Sequence, residues 1–189
     1  MEIPVQLVIL SVPAILYMVT RKQRGEAWET ILCKVGWTKG KPVHYLWAVG
    51  AFVVVALVAS VALKFVPPEI LRGSSQYAGL KRSASTLLLA LLREAFYVAL
   101  GEEVFFRGLI GGWLMRKFGF AFGNLLQAAI FLLPHLLLLQ LGTAVWPVFL
   151  IQFVAGWLQG WLRHRSDSIL PGWLVHTLSN TTSAFSAMV

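Results

Sequence analysis

The chain has 189 residues, of which 58% are hydrophobic, and a mean hydropathy of +0.73, far from the composition of an ordinary soluble domain. Its net charge of +8 sits beside the ends of apolar runs, where it acts as an orientation signal, so nucleic acid is not the expected partner. Cys33 is the only cysteine, which excludes an internal disulfide and any multi-cysteine metal site. Without a C-terminal cysteine box, the chain is not expected to be a prenylation substrate itself.

Several apolar runs reach the roughly 20 residues needed to cross a bilayer, which predicts an all-α, polytopic membrane bundle with about six transmembrane helices and a short interfacial helix. The whole chain, 1–189, reads as one integral membrane domain. Ile3 to Val19 is the first span, with Pro13 expected to kink it. Met1-Glu2 lacks a basic n-region, so the span is expected to be retained. Arg21, Lys22 and Arg24 follow at once. Trp28, Ile31, Leu32 and Val35 then recur at helical spacing, as in a short helix lying in the interface or packed on the bundle.

Val43 to Val66 is the second span, ended by Pro67-Pro68, and a polar connection over 69–85 carries Arg72, Lys81 and Arg82. Ser85 to Phe118 reads as one long helix or two broken near Gly101; it contains Gly108-x-x-x-Gly112, which permits close helix contact. Phe120 to Leu141 is the fourth span, with Pro134 and His135, and Ala144 to Leu162 the fifth, with Gly156-x-x-x-Gly160. Ile169 to Val189 is the last, with Asp167 or Ser168 as its cap and Pro171 in its first turn. The tryptophans fall mostly near span ends. Ten of the 16 Lys and Arg residues lie in 20–42, 116–119 and 163–168, which predicts that these loops are cytoplasmic and both termini outside.

The central stretch is Gly101-Glu102-Glu103-Val104-Phe105-Phe106-Arg107-Gly108. Two carboxylates and an arginine inside an apolar run are costly unless they face a protected interior. Glu103 and Arg107 are four apart with the acid on the N-terminal side, so they can pair along one helix face. Glu102 lies about 100° further round and lacks that partner. Glu103 thus reads as structural, and Glu102 as free to react.

Depth links this stretch to other helices. At 1.5 Å per residue, Glu102 is roughly 21 Å from Arg116, His135 roughly 22 Å from Phe120, Asn180 roughly 18 Å and His176 roughly 12 Å from Ser168. Four polar groups from three helices fall in one layer about two turns thick. Each has a plainer reading: His135 as a packing residue, Asn180 as interhelical glue together with Gln127, Gln152 and Gln159, Glu94 as neutralised by Arg93 or set in a water-exposed helix end. His164 reads as a solvated loop residue and His44 as an interfacial one. The coincidence of depth favours a single site.

These residues resemble the CPBP (ABI) family of intramembrane proteases, which includes the type II CAAX prenyl endopeptidases and bacteriocin-processing proteins. Three motifs carry the resemblance: Glu102-Glu103-Val-Phe-Phe-Arg107, Phe131-Leu-Leu-Pro-His135 and His176-Thr-Leu-Ser-Asn180, in family order on separate spans. The motif-bearing core covers about residues 86–189. The resemblance implies an intramembrane endopeptidase of the glutamic type, independent of metal and cofactor. Glu102 would be the general base and His135 would help to hold the water. His176 and Asn180 would bind the scissile carbonyl, with Glu103, Arg107 and Phe131 in support. A dry interior makes a carboxylate a stronger base, and Pro134 removes a helix hydrogen bond just before His135.

Three rivals remain in view. A zinc hydrolase would use Glu102, His135 and His176 as ligands, although the His-Glu-x-x-His signature is absent. A proton-coupled transporter would use the same groups as a relay, although no repeat symmetry is visible. A non-catalytic binding or immunity protein would keep the site without using it. A membrane-associated peptide or protein is the expected partner, in a lipid bilayer and with no nucleic acid. The basic loops favour a prokaryotic plasma membrane.

Overall fold

A computed structural model describes residues 5–73 and 75–189. Met1, Glu2 and the helix start expected at Ile3 lie outside the described residues, as does the side chain of Arg72. Within them the chain forms helices joined by short turns, with no strand among the described residues. Two basic residues, Arg21 and Lys22, close α1 (Val5–Gln23), which runs unbroken through Pro13. Next come α2 (Trp28–Val35), stopped by Gly36 at φ 73°, and α3 (Pro42–Ala62), which tightens into a 3₁₀ turn over Leu63–Phe65. A short α4 (Pro68–Gly73) precedes α5 (Ala84–Phe118), whose start is capped by Ser83 accepting from the Thr86 amide at 3.1 Å. Gly119, at φ 77°, breaks the chain before α6 (Phe120–His135). Pro134 lies in the last turn of α6, and Leu136–Leu141 continues as 3₁₀ helix. The last pair is α7 (Trp146–Ser166) and α8 (Leu170–Ala187). Asp167 turns between them at φ 52°; the cap position falls on Ile169, not on Asp167 or Ser168 as expected, and the Ser168 Oγ accepts from the Leu170 amide at 3.1 Å from one residue before it.

Five segments are long and apolar enough to cross a membrane: Val5–Gln23, Pro42–Phe65, Ala84–Phe118, Phe120–Leu141 and Thr143–Ser166. The sixth expected span, α8, falls outside that set because Thr177, Ser179, Asn180, Thr181, Thr182 and Ser183 dilute its apolar character. It packs inside the bundle against α3 and α7, where Ala48, Ala51, Val55, Ala155, Leu162 and Val175 form the core. Small residues there let the helix axes approach closely. The polarity runs from apolar outside to charged inside. Leu46 and Leu137 are 71% and 67% exposed, whereas Glu103 and Arg107 are fully buried. That is the arrangement a bilayer demands, since ionisable side chains must face the bundle interior. The chain is an all-α polytopic membrane protein.

Two expectations were open or need correction. Of the two readings for α2, packing on the bundle is seen on one face: Ile31 and Val35 are buried, while Trp28, Glu29, Thr30 and Cys33 are exposed on the other. Its last carbonyls are capped from a distance, Arg163 donating to Cys33 O (2.9 Å) and Lys34 O (3.1 Å), and Arg116 to Lys34 O (2.8 Å). Gly108 and Gly112 make that docking possible. A Cβ at Gly108 would stand 2.6 Å from Val35 O, and one at Gly112 2.8 Å from Lys34 O. His44, expected at the interface, is buried instead, because its Nδ1 accepts the Lys41 amide (3.0 Å) at the start of α3.

The long helix α5 is continuous, but not α-helical throughout. Over Glu94–Ala99 and Glu103–Gly111 the backbone bonds run i→i+5, with one α-helical turn, Leu100–Glu102, between them. Such wide turns are rare and cluster at functional sites. Gly101 does not break the helix. It lets α1 press against it, for a Cβ there would meet Leu7 Cα at 3.0 Å.

Candidate active site

The wide turns of α5 present three ionisable groups to the interior within six residues. Glu103 pairs with Arg107 at 3.2 Å, and both are fully buried, as their spacing predicted. Arg107 is then fixed from two further sides. Its Nη2 donates to Gln159 Oε1 on α7, and its guanidinium lies 3.9 Å from the centroid of the Phe131 ring on α6. A cation held between a carboxylate, an amide and an aromatic face binds three helices together. Gly156 leaves the space, since a Cβ there would reach Phe131 Cδ1 at 3.1 Å and Arg107 Nη2 at 3.5 Å.

His176 comes from α8 and stands between the two glutamates. Its Nδ1 is 2.9 Å from Glu103 Oε1 and its Nε2 is 3.5 Å from Glu102 Oε2. The Nδ1–H donates to the Glu103 carboxylate, which fixes the ring and leaves Nε2 facing Glu102. Gly172, one turn earlier in α8, permits this approach, as a Cβ there would lie 2.9 Å from Glu103 Oε2. Glu102 keeps one oxygen, Oε2, buried with no hydrogen-bond partner among the described residues. Its other oxygen accepts from Gln6 Nε2 of α1 at 2.6 Å.

Phe131 is the common wall. Its ring meets Phe106 at 5.2 Å, His135 at 4.7 Å and His176 at 6.1 Å between centroids. His135, half-buried where α6 gives way to 3₁₀ turns, donates Nδ1–H to Phe131 O at 2.8 Å, which leaves Nε2 available. It lies within electrostatic reach of Glu102, His176 and Arg107.

Asn180, one turn beyond His176, is drawn elsewhere. Its Nδ2 donates to Glu94 Oε2 at 3.1 Å. Glu94 is buried, not in a water-exposed helix end, and is paired with Arg93 at 3.2 Å. It also accepts from the Tyr77 hydroxyl at 2.6 Å. Tyr77 lies in the connection between α4 and α5, and its phenol is pushed up to about 12 by burial first, then by its bond to Glu94 and the charge of that carboxylate. A cavity of about 770 Å³ opens between α3, α7 and α8. His176, Asn180, Glu94 and Tyr77 line its polar side, and Phe52 and Ile151 belong to its apolar side.

Spacing thus anticipated the Glu103–Arg107 pair, and depth the layer of Glu102, His135, His176 and Asn180, of which Asn180 is drawn to Glu94; Phe131 entered only through the resemblance. Gln159 acts as interhelical glue, as expected, while Gln152 lines the cavity and Gln127 is fully buried without a side-chain partner among the described residues. Sequence reasoning missed Gln6, Tyr77 and the hub role of Glu94. A signal for Gln6 existed: it interrupts the apolar start of α1, roughly 22 Å from Arg21 and so at the depth of Glu102. Among the described residues, no three His, Cys, Asp or Glu side chains are grouped to hold a metal ion.

The class of protein is therefore a polytopic helical bundle that gathers two glutamates and two histidines from three helices in its interior. The family described as type II CAAX prenyl endopeptidase Rce1-like matches residues 84–182, over half of the sequence, and the chain belongs to it. It is in general terms a CAAX-type intramembrane protease, resident in a lipid bilayer and acting on peptide substrate. No curated protein and no solved structure matches it.

Proposed function

We propose that this protein is a metal-independent glutamic endopeptidase, with Glu102 as general base. The observation that carries the reading is the Glu102 Oε2 atom, buried without a hydrogen-bond partner among the described residues and 3.5 Å from Nε2 of His176, which lines the cavity. A water between Glu102 and the free Nε2 of His135 would give its proton to Glu102, and its oxygen would attack the scissile carbonyl. The tetrahedral intermediate carries its negative charge on the former carbonyl oxygen. The second N–H of Asn180 would donate to that oxygen, with the His176 ring beside it. Glu102 would then return the proton to the leaving amine as the C–N bond breaks. Glu103 orients His176, and Arg107 and Phe131 hold the wall behind it.

The cavity, polar along α8, apolar along α3 and mixed along α7, suits a membrane-associated peptide whose scissile bond lies next to an apolar segment. CAAX-terminated proteins and bacteriocin-type leader peptides both meet that description. The basic loops favour a prokaryotic plasma membrane with those loops on its cytoplasmic side. The test is cleavage of membrane-anchored peptides by the purified protein in lipid vesicles, compared with Glu102→Gln. Loss of cleavage in a variant of unchanged melting temperature is expected. Cleavage by Glu102→Gln at the rate of the parent protein would overturn the assignment.

A further inference from the structure

We infer that Gln6, on the first helix and outside the family-matched region, is a positioning residue for Glu102 and decides which carboxylate oxygen acts as the base. This rests on the reading of Glu102 given above. Gln6 Nε2 donates to Glu102 Oε1 at 2.6 Å, while Oε2 of the same carboxylate has no hydrogen-bond partner among the described residues and lies 3.5 Å from His176 Nε2. A carboxylate on its own can rotate and exchange its two oxygens. A charge-assisted hydrogen bond to one of them holds the plane and leaves the other oxygen, with its lone pairs, turned inward. An enzyme gains most from a base whose orientation is set before reaction, and a misplacement of about 1 Å can cost on the order of 100-fold in rate.

The surroundings support a built contact. Gly101, beside Glu102, admits Leu7 Cα to 3.0 Å of where its own Cβ would stand, so α1 is seated against α5 at the turn that bears the base. Gln6 itself is exposed at the edge of the bundle, but the Glu102 carboxylate it reaches is buried, and inside a bundle a polar side chain needs a partner. The first span thereby contributes a polar group to a site whose motif residues all come from later helices.

The experiment uses the full chain in lipid vesicles, with Gln6→Met, which keeps length and removes the donor, and Gln6→His, which restores an N–H. Gln6→Met should lower kcat about 10- to 100-fold at unchanged KM and melting temperature, and Gln6→His should recover a large part of that loss. Infrared difference spectra supply a readout that needs no substrate. The Glu102 carboxylate band, identified by its disappearance in Glu102→Gln, should shift in Gln6→Met. An unshifted band, a kcat equal to that of the parent, or equal losses in Gln6→Met and Gln6→His accompanied by a lowered melting temperature would overturn the inference. If Glu102→Gln itself cleaves normally, the general-base reading fails instead, whatever Gln6 does.

Discussion

His176 Nδ1 lies 2.9 Å from Glu103 Oε1, so the imidazole is anchored by the glutamate that also neutralises Arg107. Glu103 was expected to be structural because of its spacing from Arg107. It has a second task, that of orienting a histidine from another helix. The two adjacent glutamates therefore differ in kind. Glu102→Gln should abolish cleavage and leave thermal stability nearly intact. Glu103→Gln should weaken the pairing of a fully buried arginine, at a cost of several kcal/mol, and should also loosen His176. The double change Glu103→Gln, Arg107→Met should regain part of the stability without regaining activity. Peptide cleavage and thermal unfolding of all three variants in one detergent check this. A well-folded but inactive Glu103→Gln beside an active Glu102→Gln would exchange the two roles.

The docking of α2 makes a second expectation. A methyl group at Gly108 would stand 2.6 Å from the Val35 carbonyl, a backbone atom that cannot swing aside. Gly108→Ala should therefore destabilise the protein by about 1–3 kcal/mol. Gly25→Ala, with nothing within 4 Å of the added atom, controls for crowding, although its φ of 86° adds strain of its own. A denaturation series in mild detergent measures the difference.

Tyr77 offers a pH test outside the spans. Its phenol is raised to about 12 from 10.0 by burial and by Glu94, so the folded protein favours the protonated form. Below pH 10 that stabilisation is complete, and between pH 10 and 12 it is lost, because the unfolded chain gives up the proton first. Titration of tyrosinate absorbance should show a late component from Tyr77. Tyr77→Phe should remove it and flatten the fall in stability over the same interval.

Metal independence is the fourth expectation. After exhaustive chelation the purified protein should retain its peptidase activity and contain no stoichiometric transition metal. Loss of activity with o-phenanthroline, restored by zinc, would recast Glu102, His135 and His176 as ligands.

Much of the fold and candidate site was legible because a bilayer simplifies the pattern. Apolar runs of span length, basic flanks and the Pro67-Pro68 stop gave the order and near-correct ends of the helices. Counting residues from the basic ends brought Glu102, His135 and His176 to one depth. Rotation about a helix axis was less legible than depth. A wheel drawn at 100° per residue does not apply across Glu103–Gly111, where the bonds run i→i+5. The same limit hid the direction of Asn180, which the Glu94 carboxylate claims from another turn of α5. Gln6 was missed for a different reason: its depth matches that of Glu102, but its partner is 96 residues away and no spacing rule links them.

The wide turns of α5 also bear on how this chain tolerates insertion and deletion. A nine-residue stretch wound with i→i+5 bonds can be viewed as holding surplus backbone within an otherwise α-helical rod. Removing one residue near its far end, at Leu109 or Ile110, should let the helix rewind with i→i+4 bonds while leaving Glu102 and Arg107 upstream of the change. The segment Gly112–Phe118 would then keep roughly its present orientation, with Gly112 still against Lys34 and Arg116 still near the Lys34 carbonyl it caps, whereas the same deletion in a regular α-helix would turn it by about 100°. The spare residue is thus mechanical slack, which the helix can give up without unseating the short helix docked below it.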